Sequence, residues 1–147
     1  MDKQKQYRFL STSGLKALVT GLISTRRVYG TVTKDGFPAW GRLLEFEDLS
    51  LFRTPTHISA REFLFPQRET LLRFDLDKNT FDPVVEAREQ AIIGLHSCDI
   101  HGMNLMDRVF SYGAPDPNYL EKRKRTIIIG TGCFPDEYCF CSSVGTM

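Results

Sequence analysis

Two apolar runs that each lead straight into cysteine constrain this chain more than any other feature. Ala91-Ile92-Ile93-Gly94-Leu95 runs towards Cys98, and Thr126-Ile127-Ile128-Ile129-Gly130 runs towards Cys133, with Cys139 and Cys141 close behind. Between the two runs a helix is expected to begin near Asp99, a good N-cap residue, and to carry Ile100, Met103, Met106, Val109 and Phe110 at roughly helical spacing. A strand, helix, strand unit of this kind normally joins two parallel strands by a right-handed crossover. Parallel strands end at one edge of their sheet, so Cys98 and Cys133 should emerge on the same side, the edge where open α/β sheets place ligands. In an extended segment residues i and i+2 share a face, so Cys139 and Cys141 could offer two thiolates to one centre. Cys133 could fold back over the Pro135-Asp136 turn. Cys98, Cys133, Cys139 and Cys141 together make a candidate four-thiolate metal site.

The rest of the chain reads as what comes before such a core. The first ten residues are polar and read as loose. Ser13 to Ile23 offers a hydroxyl cap and a leucine-rich amphipathic pattern, a short helix closing near Ser24. Arg27 to Thr33 turns β-branched and aromatic, and Lys34-Asp35-Gly36 separates it from Phe37 to Leu43, which predicts a hairpin. Glu45 to Leu51 fits a strand or a helical turn equally well. Ala60 to Phe74 reads as two short elements meeting at Pro66, with Arg68 and Glu69 either on a solvated surface or beside an anionic cofactor or partner. A polar Asp77-Lys78-Asn79 turn predicts a second hairpin. Ser111 to Asn118 must be a loop, and Tyr119 to Arg125 a short helix whose charge run is a solvated face. The fold class is therefore α/β: a single domain with an N-terminal helix and hairpins, a βαβ core, and the cysteine site at the carboxyl edge of its strands.

At 147 residues and 41% hydrophobic content, the chain is the size of one domain and can bury one core. Nineteen basic residues against eighteen acidic ones leave a formal charge of +1, which gives no electrostatic reason to bind nucleic acid or an acidic membrane surface. No apolar run approaches the ~20 residues of a membrane span. The start, MDKQKQYRFL, lacks the apolar centre of a signal peptide, so the expected location is the cytoplasm. Clustered thiols in that setting point to metal or redox chemistry rather than to disulfides.

Several chemistries fit such thiols. Four cysteine thiolates commonly hold a four-iron cluster, although C-x5-C-x-C is not a ferredoxin spacing. Structural zinc uses the same ligand set, but its usual paired C-x2-C knuckles are absent. Cys98, flanked by His96 and His101 at a helix start, could instead be a reactive thiol. Either histidine could also replace a cysteine as ligand, although in such a loop each reads more simply as a surface or satisfied residue. Gly130-Thr131-Gly132 lacks the third glycine and the following helix of a phosphate cradle.

Several segments occur here in the order of one known family. They are Phe63-Leu64-Phe65-Pro66-Gln67-Arg68-Glu69-Thr70-Leu71-Leu72, Ser97-Cys98-Asp99-Ile100, Leu105 to Phe110, Asp116-Pro117-Asn118-Tyr119, Ile129 to Cys133 and Cys139-Phe140-Cys141-Ser142-Ser143-Val144-Gly145. From about Ala60 onwards the chain resembles the N-terminal half of the iron-sulfur β subunit of sulfhydrogenases, a family shared with an iron-sulfur component of anaerobic sulfite reductase. The resemblance implies an electron-transfer subunit of a hydrogenase or of a sulfur- or sulfite-reductase complex, a relay component rather than a stand-alone enzyme. It implies a 4Fe-4S cluster held by Cys98, Cys133, Cys139 and Cys141, and partner subunits that are flavin- or nucleotide-linked on one side and catalytic on the other. The alternative is a zinc-stabilised assembly module that docks a redox partner. The family's second half, with paired C-x2-C-x2-C-x3-C-P motifs, is not in this sequence. Residues 1–147 therefore read as one α/β domain, the N-terminal part of a longer iron-sulfur subunit without its ferredoxin-like half. His96-Ser97 also stands where the family tends to have a pair such as Arg-Pro.

Overall fold

The computed structural model describes residues 9–51 and 56–146. Most of the polar start read as loose, residues 1–8, lies outside them. The first helix, α1 (Thr12–Thr25), is capped two residues earlier than the sequence pattern placed it. The Ser11 hydroxyl accepts the Gly14 N–H at 3.1 Å, and Ser13 bonds Ser11 instead of capping. Strands β1 (Arg27–Lys34) and β2 (Phe37–Leu43) form the expected hairpin. Its two turn residues, Asp35 and Gly36, both have positive φ (52° and 81°), the type I′ geometry that Asp-Gly favours. The ambiguous stretch after it contains a 3-10 turn, Phe46–Asp48, in which the Asp48 carboxylate accepts the Leu44 and Glu45 N–H groups.

A second 3-10 turn, Ala60–Phe63, precedes the small hairpin of β3 (Leu72–Asp75) and β4 (Thr80–Pro83). That hairpin is a separate two-stranded sheet whose Phe74 and Phe81 rings lie 4.8 Å apart, both largely exposed. Then come β5 (Gln90–Leu95), α2 (Ser97–Ser111), α3 (Pro117–Lys124) and β6 (Thr126–Gly130). The crossover thus holds α2 and the short helix expected over Tyr119 to Arg125, which begins two residues earlier, inside the stretch read as loop. Asp116 starts the second by accepting the Asn118 and Tyr119 N–H groups, with Pro117 in the first helical turn, where its missing donor costs nothing.

The main sheet has the order β2-β1-β5-β6, with β1, β5 and β6 parallel and β2 antiparallel at the edge. Every residue of β5 is buried, as a central strand covered on both faces requires. Ala91 and Ile93 join Val19, Val28 and Leu43 in one core cluster under α1, while Ile92 and Leu95 join Met103, Tyr119, Ala60 and Leu64 in the other, under α2 and α3. Strict alternation would put Leu95 on the face of Ile93. An irregularity between Ile93 and Leu95, with Gly94 at φ 96°, turns it to the face of Ile92. The fold is mixed α/β with a βαβ core, as the sequence pattern indicated.

Along α2, Met103 is buried and Ile100, Met106 and Phe110 pack against the same cluster, but Val109 is exposed. Residues 103, 106 and 110 make one helical stripe; residue 109 falls off it.

Candidate functional site

The carboxyl ends of β5 and β6 lie side by side. Leu95 pairs with Gly130, and the Thr131 N–H donates to the Leu95 carbonyl at 2.7 Å, extending the parallel contact one residue past β6. Gly130 lets α2 approach closely: a Cβ there would stand 2.9 Å from Ile100 Cδ1. The chain turns into α2 immediately after β5. His96, not Asp99, is the N-cap, with Asp99 inside the first turn. An acidic residue there still meets the positive end of the helix, so the residue type carried the right signal and the boundary was three positions late. Cys98 consequently sits in the first turn of α2, and Cys133 three residues past β6, at one edge of the sheet.

Beyond Cys133 the segment is a run of turns, not a strand. The Asp136 carboxylate accepts the Tyr138 N–H at 2.9 Å, and the Asp136 carbonyl accepts the Cys139 N–H at 3.1 Å, so the chain does fold back over Pro135-Asp136. The Ser143 and Val144 N–H groups return to the Phe140 carbonyl, and Thr146 N–H to that of Cys141. The strand periodicity expected to put Cys139 and Cys141 on one face therefore does not apply. Turn-forming Asp, Ser and Gly outweigh the aromatic residues between them.

All four cysteines are free, with Cys98 exposed and the other three half-buried. The thiols interact electrostatically. Cys98 is raised above the ordinary thiol range, first by desolvation against neighbouring protein despite its exposed surface, then by the Asp99 carboxylate and by Cys141 and Cys133. A backbone hydrogen bond at Asp136 pulls Cys139 down, but the Asp136 carboxylate, desolvation and Cys141 together raise it. Asp136 is lowered in turn, chiefly by the hydrogen bond from Cys139. A raised Cys98 lacks the activation that a nucleophilic thiol requires, which removes the main support for the reactive-thiol reading.

The donor chemistry and the shared edge fit a thiolate-bound metal centre. The side chains are not drawn together: among the described residues no group of three or more His, Cys, Asp or Glu is placed to hold a metal ion. Of the two histidines, His96 is buried with interactions of its own and His101 is exposed on α2.

At the opposite edge of the sheet, sequence reasoning reached Arg68 and Glu69 but missed the partner of Glu69. The Tyr119 to Arg125 charge run is not simply a solvated face, because Lys122 is buried and paired with Glu69. Arg123 Nε meets both Asp107 carboxylate oxygens at 3.1 Å, and the Tyr119 hydroxyl donates to the same carboxylate at 2.7 Å. The usable signal was spacing. Lys122 falls three residues after the buried Tyr119, on the same helical face.

No family model matches the chain, and no solved structure matches it. Over 120 residues, 82% of its length, it is 38% identical to Sulfhydrogenase 2 subunit beta of Pyrococcus furiosus. It spans only 35% of that protein's length, which is consistent with an N-terminal half. Among the described residues no helix is long and apolar enough to cross a membrane. The resemblance read from the sequence motifs is thus borne out, and this chain is a relative of the sulfhydrogenase β subunit.

Proposed function

We propose that this chain is an electron-relay domain of a hydrogenase-type or sulfur- or sulfite-reductase-type redox complex, the N-terminal part of a longer cytoplasmic subunit. In this reading Cys98, Cys133, Cys139 and Cys141 hold a 4Fe-4S cluster. One observation carries it: the parallel strands β5 and β6 bring Cys98 and Cys133 to one edge, where Cys139 and Cys141 follow in the same loop. Such a cluster supplies one-electron transfer. The chain's own contribution is to fix Cys98 in the first turn of α2 and to start the loop that carries Cys133 three residues past the end of β6. The other two lie in a turn-rich segment able to close on the metal. Of the backbone amides of Gly130 to Gly132 and Ser142 to Gly145, those of Thr131, Ser143 and Val144 already donate to the Leu95 and Phe140 carbonyls, so tuning of the potential by hydrogen bonds to cluster sulfurs falls to the remaining ones.

The aromatic side chains of that segment support a role in contact with other subunits. Phe134, Tyr138 and Phe140 are all largely exposed beside the cysteines. Aromatic residues at such a surface are typical of protein interfaces. The partners in this reading are a flavin- or nucleotide-linked subunit together with a catalytic one. The test is an EPR spectrum of anaerobically purified protein before and after dithionite. A signal that appears on reduction and is lost in Cys98→Ser supports the relay. An EPR-silent, iron-free protein with intact circular dichroism sinks it.

A further inference from the structure

At the amino ends of the parallel strands, away from every cysteine, a cleft of about 560 Å³ opens beside Arg27 and Gln90, the first residues of β1 and β5. That volume is in the range of small-molecule sites. Four cationic side chains line it, Arg27, Arg68, Arg88 and Lys122, against two carboxylates, Glu69 and Glu86, so its lining is net positive. Lys122 is matched by Glu69. The side chains of Arg27, Arg68 and Arg88 form no ion pair or hydrogen bond with other described residues. They come from three separate segments and line one opening in a molecule whose overall charge is only +1.

The wall of the cleft is aromatic: the Tyr29 and Phe63 rings stack at 4.3 Å, and both line it. Its base is held rigidly. Gln90 is buried, and its Nε2 donates to Thr126 Oγ1 at 2.9 Å and to the Phe63 carbonyl at 3.2 Å, while the Thr126 hydroxyl donates to the Lys122 carbonyl at 2.6 Å. The backbone behind the aromatic wall and the buried lysine are thus tied together.

Unpaired guanidinium groups around an aromatic surface suit a ligand with two ends. Phosphoryl oxygens take arginine bidentately, and a flat ring gains from contact with Tyr29 and Phe63. We infer that this cleft binds a phosphorylated small molecule carrying a flat ring, of the mononucleotide class, with Arg68 and Arg88 on the phosphoryl end and Tyr29 and Phe63 beside the ring. None of this depends on the cluster reading, since the two sites occupy opposite edges of the sheet.

Isothermal titration calorimetry of the full 147-residue chain with ADP, and in parallel with inorganic pyrophosphate, tests the inference. The expected result is saturable ADP binding, tighter than pyrophosphate, and weakened about tenfold by Arg68→Ala and again by Arg88→Ala. Both arginines are exposed and without partners, so these variants should keep the parent's thermal melt. Absence of saturable ADP binding, pyrophosphate binding as tight as ADP, or an ADP affinity unmoved in the double variant would each overturn it.

Discussion

The two edges of the parallel strands are built on opposite principles. At the amino edge, Gln90, Thr126, Lys122 and Glu69 form a connected and mostly buried set of hydrogen bonds and an ion pair. At the carboxyl edge, about 17 Å away along β5, four cysteines stand in or beside a turn-rich loop that no strand or helix covers. Beneath its open cleft the amino edge has its buried polar groups satisfied within the chain, whereas the thiols of the carboxyl edge are left for something to complete. Burial explains the difference. A buried amide or ammonium must find its partners within the fold, whereas exposed and half-buried thiols stay soluble without them.

This contrast predicts that damage at the two edges separates cleanly. The largest effect is expected from Cys133→Ser or Cys141→Ser: iron retained after anaerobic purification should fall to background while the thermal melt of the metal-free protein barely moves. Colorimetric iron analysis beside circular dichroism checks both halves. Glu69→Ala should do the reverse. It strands a buried ammonium, so unfolding should cost about 2–3 kcal/mol less, with iron content unchanged in protein kept below its melting temperature. Denaturant titration measures it, and a loss within error would mean that Lys122 finds another partner.

Smaller effects sharpen the same picture. Tyr119→Phe removes the hydroxyl whose burial, together with the Asp107 hydrogen bond, pushes it well above the usual tyrosine range. About 1.5 kcal/mol should go, through loosened contact between α2 and α3. The least effect belongs to Asp75, which the Lys78 and Asp77 N–H groups and the Lys78 ammonium hold below the ordinary carboxylate range in the turn of the small hairpin. A depressed folded-state pKa stabilises above the unfolded value near 3.8 and is lost as pH falls through the folded one. Melting curves of parent and Asp75→Asn should therefore differ slightly at pH 6 and converge at the acid end. A gap that widened in acid would reverse the sign.

Much of the carboxyl edge was legible in the sequence because its signals are local. Apolar runs ending in glycine, the Asp-Gly hairpin turn and the cysteine positions each speak for themselves, and the resemblance added the role. The amino edge was legible only at Arg68 and Glu69, where an anionic cofactor or partner is one of two readings. Arg27, Arg68, Arg88 and Lys122 lie on four segments, and only the folded chain gathers them at one cleft. A charge run such as Glu121 to Arg125 marks its inward member only through the three-residue spacing of Lys122 from Tyr119. The Leu95 facing was hidden for a related reason: the Gly94 irregularity shifts register without altering composition.

Completion of the carboxyl edge by iron is the central claim. Iron, acid-labile sulfide and zinc, measured per chain on anaerobically purified protein, decide it. About four irons and four sulfides with no zinc is the predicted result. One zinc without iron would contradict it and make the loop a structural module, and a folded chain free of all three would contradict it as well.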